Sequence, residues 1–280
     1  MTPDSGSSRG ERGELRLNDG TKLGTTLYRG SDVGQRVTLV HSLAMDREFW
    51  RPVAERLNAA GASVLTYDCR GHGASSKPAG PYTVALFADD LAQLLDHFGW
   101  DSSVVAGASM GGCIALAFAA AHPRRTRALG LYDTTAWYGA EAPQQWAERA
   151  DKALANGLAS LTAFQVTRWF GDAFRERHPD IVKSSVDVFL RNDVKAYAES
   201  CRMLGAADAR KDLPRLAMPA AIAVGEEDYA TPPAMAEALH RGLKNSTLTI
   251  IEGGRHLTPL EMPDRIDESL GALLKAASPR

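Results

Sequence analysis

Val104-Val105-Ala106-Gly107-Ala108-Ser109-Met110-Gly111-Gly112 is the stretch that decides the reading of this chain. Val104-Val105-Ala106 is a short apolar run, the pattern of a buried strand, and Gly112 to Ala121 reads as an alanine-rich helix. Between them stands a Gly-x-Ser-x-Gly, Gly107 to Gly111, at a strand-to-helix junction. On so sharp a turn bulky neighbours would collide, so the glycines leave the serine hydroxyl alone above the sheet. The helix that follows points its free N–H groups at any negative charge forming there. Gly-Ser clusters are also ordinary turns. What makes Ser109 a candidate nucleophile is that a candidate acid and a candidate base follow it along the chain.

Outward from this point, strand and helix patterns alternate. Glu14 to Leu17 and Lys22 to Tyr28 flank Asn18-Asp19-Gly20, a hairpin signal. Arg36 to Val40, Ala62 to Tyr67 and Ala128 to Tyr132 read as further strands, with helical spacing over Phe49 to Ala59 and Thr83 to Phe98. From about residue 137 to 210 the alternation stops, and four helical segments follow one another: Gln144 to Asn156, Leu158 to Phe170, Ile181 to Asn192 and Val194 to Ala206. Strand patterns resume at Ala220 to Val224 and Thr247 to Ile251, with helices near Pro233 to Gly242 and Asp264 to Ala276. The expected class is therefore α/β: a mostly parallel eight-stranded sheet flanked by helices. Residues 14–136 and 211–280 form its core, residues 137–210 an inserted helical cap, and residues 1–13 a disordered tail. Ligands of open α/β sheets bind beyond the carboxyl ends of the strands, which is where an insertion after the strand ending at Asp133 would lie.

A serine hydroxyl needs a base to take its proton and an acid to orient that base. The candidate base is His256, in Glu252-Gly253-Gly254-Arg255-His256, just past the last strand. The candidate acid is Asp228, in Val224-Gly225-Glu226-Glu227-Asp228, after the penultimate one. Glu226 and Glu227 compete for that role, and Asp133 is the alternative from an earlier strand end. An oxyanion hole needs two N–H donors aimed where charge develops. Met110 supplies one, and Leu43, in the loop His41-Ser42-Leu43-Ala44-Met45-Asp46, is assigned the other. His41 reads as a structural holder of that loop. Arg70-Gly71-His72-Gly73 reads as a scaffold loop rather than a phosphate cradle, since no Gly-Lys-Ser motif accompanies it.

The composition is that of a soluble globular protein: 44% hydrophobic and 24% charged residues, with a formal charge of -2. No basic cluster points to nucleic acid. Cys69, Cys113 and Cys201 are scattered and odd in number, which speaks for a reducing, cytoplasmic setting over a disulfide framework. No Cys/His spacing suggests a metal. Met1 to Glu14 has no apolar signal region, and glycines break the uncharged stretch Val104 to Ala121, so no membrane span is expected.

With these residues assembled, the chain resembles the α/β-hydrolases over nearly its whole length. The shared pieces are the Asp68-x-Arg70-Gly71-x-Gly73-x-Ser75 loop, the Ser109 turn, Gly225-x-x-Asp228 and Gly254-x-His256. It further resembles the 3-oxoadipate enol-lactonases, through Ser42-Leu43-Ala44-x-Asp46-x-x-x-Trp50, Ser109-Met110-Gly111-Gly112, Arg168-Trp169-Phe170, Phe174 and His178-Pro179. That resemblance implies cofactor-free hydrolysis of a small enol-lactone bearing a carboxymethyl arm. The other readings are a carbon–carbon bond hydrolase or haloperoxidase of the same fold and, outside enzymes, a ligand receptor. His41 stands where the family commonly has Asn, and Thr134-Thr135-Ala136-Trp137-Tyr138 lacks the family's usual basic residue. A substrate carboxylate calls for an arginine. Arg168 and Arg255 are the candidates, with Trp137, Trp146 and Trp169 as candidate pocket walls.

Overall fold

The computed structural model describes residues 10–277. Eight strands form one sheet: β1 (Glu11–Arg16), β2 (Lys22–Tyr28), β3 (Asp32–Val40), β4 (Ala62–Tyr67), β5 (Ser103–Ala108), β6 (Thr126–Tyr132), β7 (Ala220–Gly225) and β8 (Ser246–Ile251). Their order is β1-β2-β4-β3-β5-β6-β7-β8. β2 pairs antiparallel with β1 and β4, and every later pairing is parallel. Strands covered on both faces need continuous apolar runs. β5 and β7, buried at every residue, have them.

The connecting helices α1 (Arg51–Ala59), α2 (Val84–His97) and α3 (Met110–Ala121) precede β6. α2 starts where its sequence predicts. The Thr83 hydroxyl accepts the Leu86 N–H, and the apolar face beyond it buries Phe87, Leu91, Leu94 and Leu95. Five α-helices separate β6 from β7: α4 (Ala142–Asn156), α5 (Thr162–Trp169), α6 (Asp172–Arg177), α7 (Pro179–Leu190) and α8 (Val194–Ala206). After β7 come α9 (Pro233–Gly242), α10 (Thr258–Glu261) and α11 (Pro263–Ala277). α6 and α10 escape a periodicity reading because six and four residues are too few to show one.

Of the tail expected over residues 1–13, residues 1–9 lie outside the described residues. Glu11, Arg12 and Gly13 are instead strand, paired with Leu27, Thr26 and Thr25. Only Leu15 of β1 is buried, so no alternation marks its first residues as strand.

Parallel strands send their carboxyl ends to one edge of the sheet, where the loops after β3, β5, β6, β7 and β8 meet. The α4–α8 insertion is fastened to those loops. The Asn192 side-chain amide donates to the Ala44 carbonyl at 2.8 Å. The N–H groups of His256 and Leu257 donate to the carbonyls of Arg168 and Trp169 at 3.3 and 3.1 Å.

Candidate active site

Ser109 sits between β5 and α3 with φ 52° and ψ -115°, in a region that L-residues rarely enter. The neighbouring glycines make the turn feasible. A Cβ on Gly107 would lie 2.1 Å from the Gly111 carbonyl oxygen, and one on Gly111 would lie 2.1 Å from that of Val40. The turn is tied to β6: the Ser109 N–H donates to the Tyr132 carbonyl at 2.9 Å, and the Thr134 hydroxyl donates to the Ser109 carbonyl at 2.7 Å.

The structure brings the three predicted side chains together. His256 Nε2 lies 2.9 Å from Ser109 Oγ, and His256 Nδ1 lies 2.8 Å from Asp228 Oδ2. Asp228 is itself held. Its Oδ1 accepts the N–H groups of Ala230 and Thr231, and its Oδ2 accepts the Thr231 hydroxyl at 2.8 Å. Burial pushes its pKa up, but the His256 charge and these hydrogen bonds together outweigh burial and hold it below the usual carboxylate value. An ionised carboxylate only accepts, so His256 Nδ1 carries the proton and Nε2 is free to accept from Ser109. Burial likewise favours the neutral imidazole. The charge and hydrogen bond of Asp228, with the more distant Asp133 carboxylate, override it and raise the His256 pKa above 6.5.

The competing acids are engaged elsewhere. Glu226 accepts the Gly253 N–H at 3.1 Å, and Glu227 pairs with Arg255 at 3.2 Å. Asp133, fully buried with φ 47°, accepts the Gly225 N–H at 3.2 Å and the N–H and hydroxyl of Thr258 at 2.9 and 2.7 Å. It therefore clasps the end of β7 to the segment following His256. Burial, reinforced by the Asp228 charge, pushes its pKa well above the ordinary carboxylate value.

Among the described residues, the N–H groups of Leu43 and Met110 meet no protein acceptor. Met110 opens α3, where helix geometry leaves N–H groups unpaired. The Leu43 loop is shaped by Ala44 at φ 58° and held by His41, whose Nδ1 meets the Ser42 carbonyl at 2.8 Å and whose Nε2 accepts the Cys69 N–H at 3.0 Å.

A cavity of about 610 Å³ opens over Ser109 and His256. Arg168 and Trp169 line it, as expected, and so does Trp146. Trp137 does not, which corrects its assignment as a pocket residue. It bridges to Asp208 in antiparallel fashion and lies under the Arg210 guanidinium, 3.6 Å from the ring centre. Successive residues of extended chain face opposite ways, so the next residue, Tyr138, faces the cavity instead. Arg255 is occupied, pairing with Asp172 and Glu227 and donating to the carbonyls of Thr167 and Phe170. Tyr138 and Arg149 are among the lining residues that sequence reasoning missed. For Arg149 the available signal was Trp146-x-x-Arg149, whose helical spacing puts both side chains on one face of α4.

Among the described residues no three His, Cys, Asp or Glu side chains gather as a metal site, and no helix is long and apolar enough to cross a membrane. The three cysteines are buried and unpaired. The alpha/beta hydrolase fold family matches residues 35–263. The chain belongs to that family. Among curated members of this α/β-hydrolase family it is 34% identical to 3-oxoadipate enol-lactonase 2 of Acinetobacter baylyi, over 76% of this chain and 78% of that protein. It is 27% identical to 3-oxoadipate enol-lactonase 1 of the same organism, over 88% and 91%. Its structure superposes on that of the enol-lactonase from Burkholderia xenovorans LB400 with a TM-score of 0.88 at 30% identity, covering 94% of this chain and all of the other.

Proposed function

We propose that this α/β-hydrolase opens a small lactone or ester through an acyl-enzyme, with 3-oxoadipate enol-lactone as the favoured substrate. The observation that carries the mechanism is the unbroken hydrogen-bonded line Asp228–His256–Ser109 at the base of one cavity. The lactone preference is supported by the likeness to enol-lactonases in sequence and in structure. In this reading residues 137–210 act as a cap over the site.

Ser109 Oγ attacks the acyl carbon while His256 Nε2 takes its proton. Asp228 fixes the imidazole and stabilises its cation. The N–H groups of Leu43 and Met110 hold the oxyanion, and losing one such donor costs roughly a hundredfold to a thousandfold in rate. Collapse breaks the acyl carbon–oxygen bond of the ring. The departing enolate takes the imidazolium proton and tautomerises to a ketone, which draws the reaction forward. Water, deprotonated by His256, then attacks the acyl carbon. The Ser109 ester bond breaks, the acid leaves, and the proton returns to Ser109.

The test is hydrolysis of a panel of small lactones and esters, including 3-oxoadipate enol-lactone, together with fluorophosphonate labelling. The wild type should turn over members of the panel and be labelled. Ser109→Ala should lose about 10⁴- to 10⁶-fold in kcat, with no label and an unchanged melting temperature. A wild type that is neither labelled nor active would refute the hydrolytic reading.

A further inference from the structure

We propose that Asn192, in the insertion between β6 and β7, is a positioning residue for the oxyanion hole: it sets the peptide plane that carries the Leu43 N–H. The inference rests on the hydrolase reading above, in which that N–H holds the oxyanion.

Ser42 to Met45 form a turn closed by the Met45 N–H, which donates to the Ser42 carbonyl at 3.1 Å. Ala44 occupies the third position of this turn with φ 58°. A turn with positive φ there favours glycine, because a Cβ crowds the backbone. Ala44 carries that Cβ, so the turn persists only where its surroundings hold it. Asn192 supplies a hold from outside the loop: its Nδ2 donates to the Ala44 carbonyl at 2.8 Å. Asn192 is itself fixed at the end of α7. Its backbone N–H donates to the Phe189 carbonyl at 3.2 Å, and its Nδ2 also lies 2.9 and 3.1 Å from the carbonyls of Val188 and Phe189.

These bonds run in series. The Ala44 carbonyl and the Met45 N–H belong to one peptide group, and the Ser42 carbonyl and the Leu43 N–H to another. Asn192 holds the first group, the first holds the second, and the second carries the Leu43 N–H at the edge of the cavity. Hydrogen bonds in such a chain polarise one another, which strengthens the last donor. His41 meets the Ser42 carbonyl at 2.8 Å and steadies the second group, while Asn192 steadies the first. A segment far along the chain from Ser109 thus completes the site without touching substrate.

Two measurements test the proposal. The first is steady-state hydrolysis of phenyl acetate. Asn192→Ala should lower kcat about tenfold or more, with KM within about twofold and the pH midpoint of kcat/KM unmoved, since His256 is untouched. In the Ala44→Gly background the same substitution should cost less than about threefold, because glycine holds φ 58° unaided. The second is amide hydrogen exchange of the folded protein, followed by NMR, which needs no turnover. Asn192→Ala should speed exchange of the Met45 N–H about fivefold or more and leave the amides of β5 unchanged. Unchanged Met45 exchange overturns the proposal. So does a phenyl acetate kcat that Asn192→Ala leaves unchanged, or a loss as large in the Ala44→Gly background, which would make Asn192 a packing residue. If Met45 exchange rises while the wild type hydrolyses no phenyl acetate and takes no fluorophosphonate label, the hold on the loop stands and the hydrolase reading fails. Asn192→Ser, whose hydroxyl is too short to reach Ala44, is read in the same way should Asn192→Ala not fold.

Discussion

Ser109 and Asp133, at the ends of β5 and β6, hold φ angles of 52° and 47°, and Ala44, after β3, holds 58°. Across the cavity, Trp146 and Arg149 of α4 and Phe164 and Arg168 of α5 sit in ordinary helices and reach the space by side chains alone. One wall is made by forcing the backbone into rare conformations between close-packed strands. The other is made by choosing side chains on a regular support. The strained wall is intolerant of change and generic to the chemistry, while the helical wall can vary and so is free to set which molecule is accepted.

The comparison breaks most sharply at the acids. Asp228→Asn should lower kcat about 10⁴-fold, because the histidine loses its orienting acceptor. Asp133→Asn should keep kcat within roughly tenfold and instead cost about 1–3 kcal/mol of stability, because the clasp on Gly225 and Thr258 is weakened. Steady-state kinetics and chemical denaturation separate the two, and a larger kinetic loss in Asp133→Asn would reassign the acid.

Glycines sharpen the same contrast. Gly107→Ala drives a Cβ into backbone with no room to shift, so a loss of about 3 kcal/mol or more is expected. Gly157, between α4 and the turn before α5, has φ 73° and open space around it, and its replacement by Ala should cost about 1 kcal/mol. Urea unfolding measures both.

Two buried histidines titrate in opposite directions. His256, raised by Asp228, must be neutral to take the Ser109 proton, so kcat/KM should rise with pH through a pKa above 6.5. Asp228→Asn should move that midpoint down in whatever activity remains. His72 is pushed down to about 3 by burial, aided by the neighbouring His41. Only the unfolded chain then binds its proton between about 6.5 and 3, so its contribution is complete above 6.5 and is lost as pH falls through that window. Denaturation midpoints from pH 7 to 4 should decline, and less so in His72→Gln.

The smallest effect is expected at Trp137. Trp137→Ala should change kcat/KM by less than about twofold and lower the melting temperature slightly, since its backbone bridges to Asp208 and its ring packs under the Arg210 guanidinium rather than against substrate.

The sequence by itself determined the strand–helix alternation, the break in it over residues 137–210, and Ser109 and His256 as nucleophile and base with a short set of candidate acids led by Asp228. Those features are written in local rules: apolar runs, glycines where a Cβ has no room, and chain order along strand ends. Where extended chain and helix periods were long, as in α8 and α9, even the boundaries were legible. The tertiary structure alone decided which acid of four meets the imidazole, that Tyr138 rather than Trp137 faces the cavity, and that Arg255 is spent on Asp172 and Glu227 while Arg149 reaches the cavity. Each of these depends on where distant segments come to rest against one another. A residue's type shows what it can bond, but only the packed chain shows what is left within its reach.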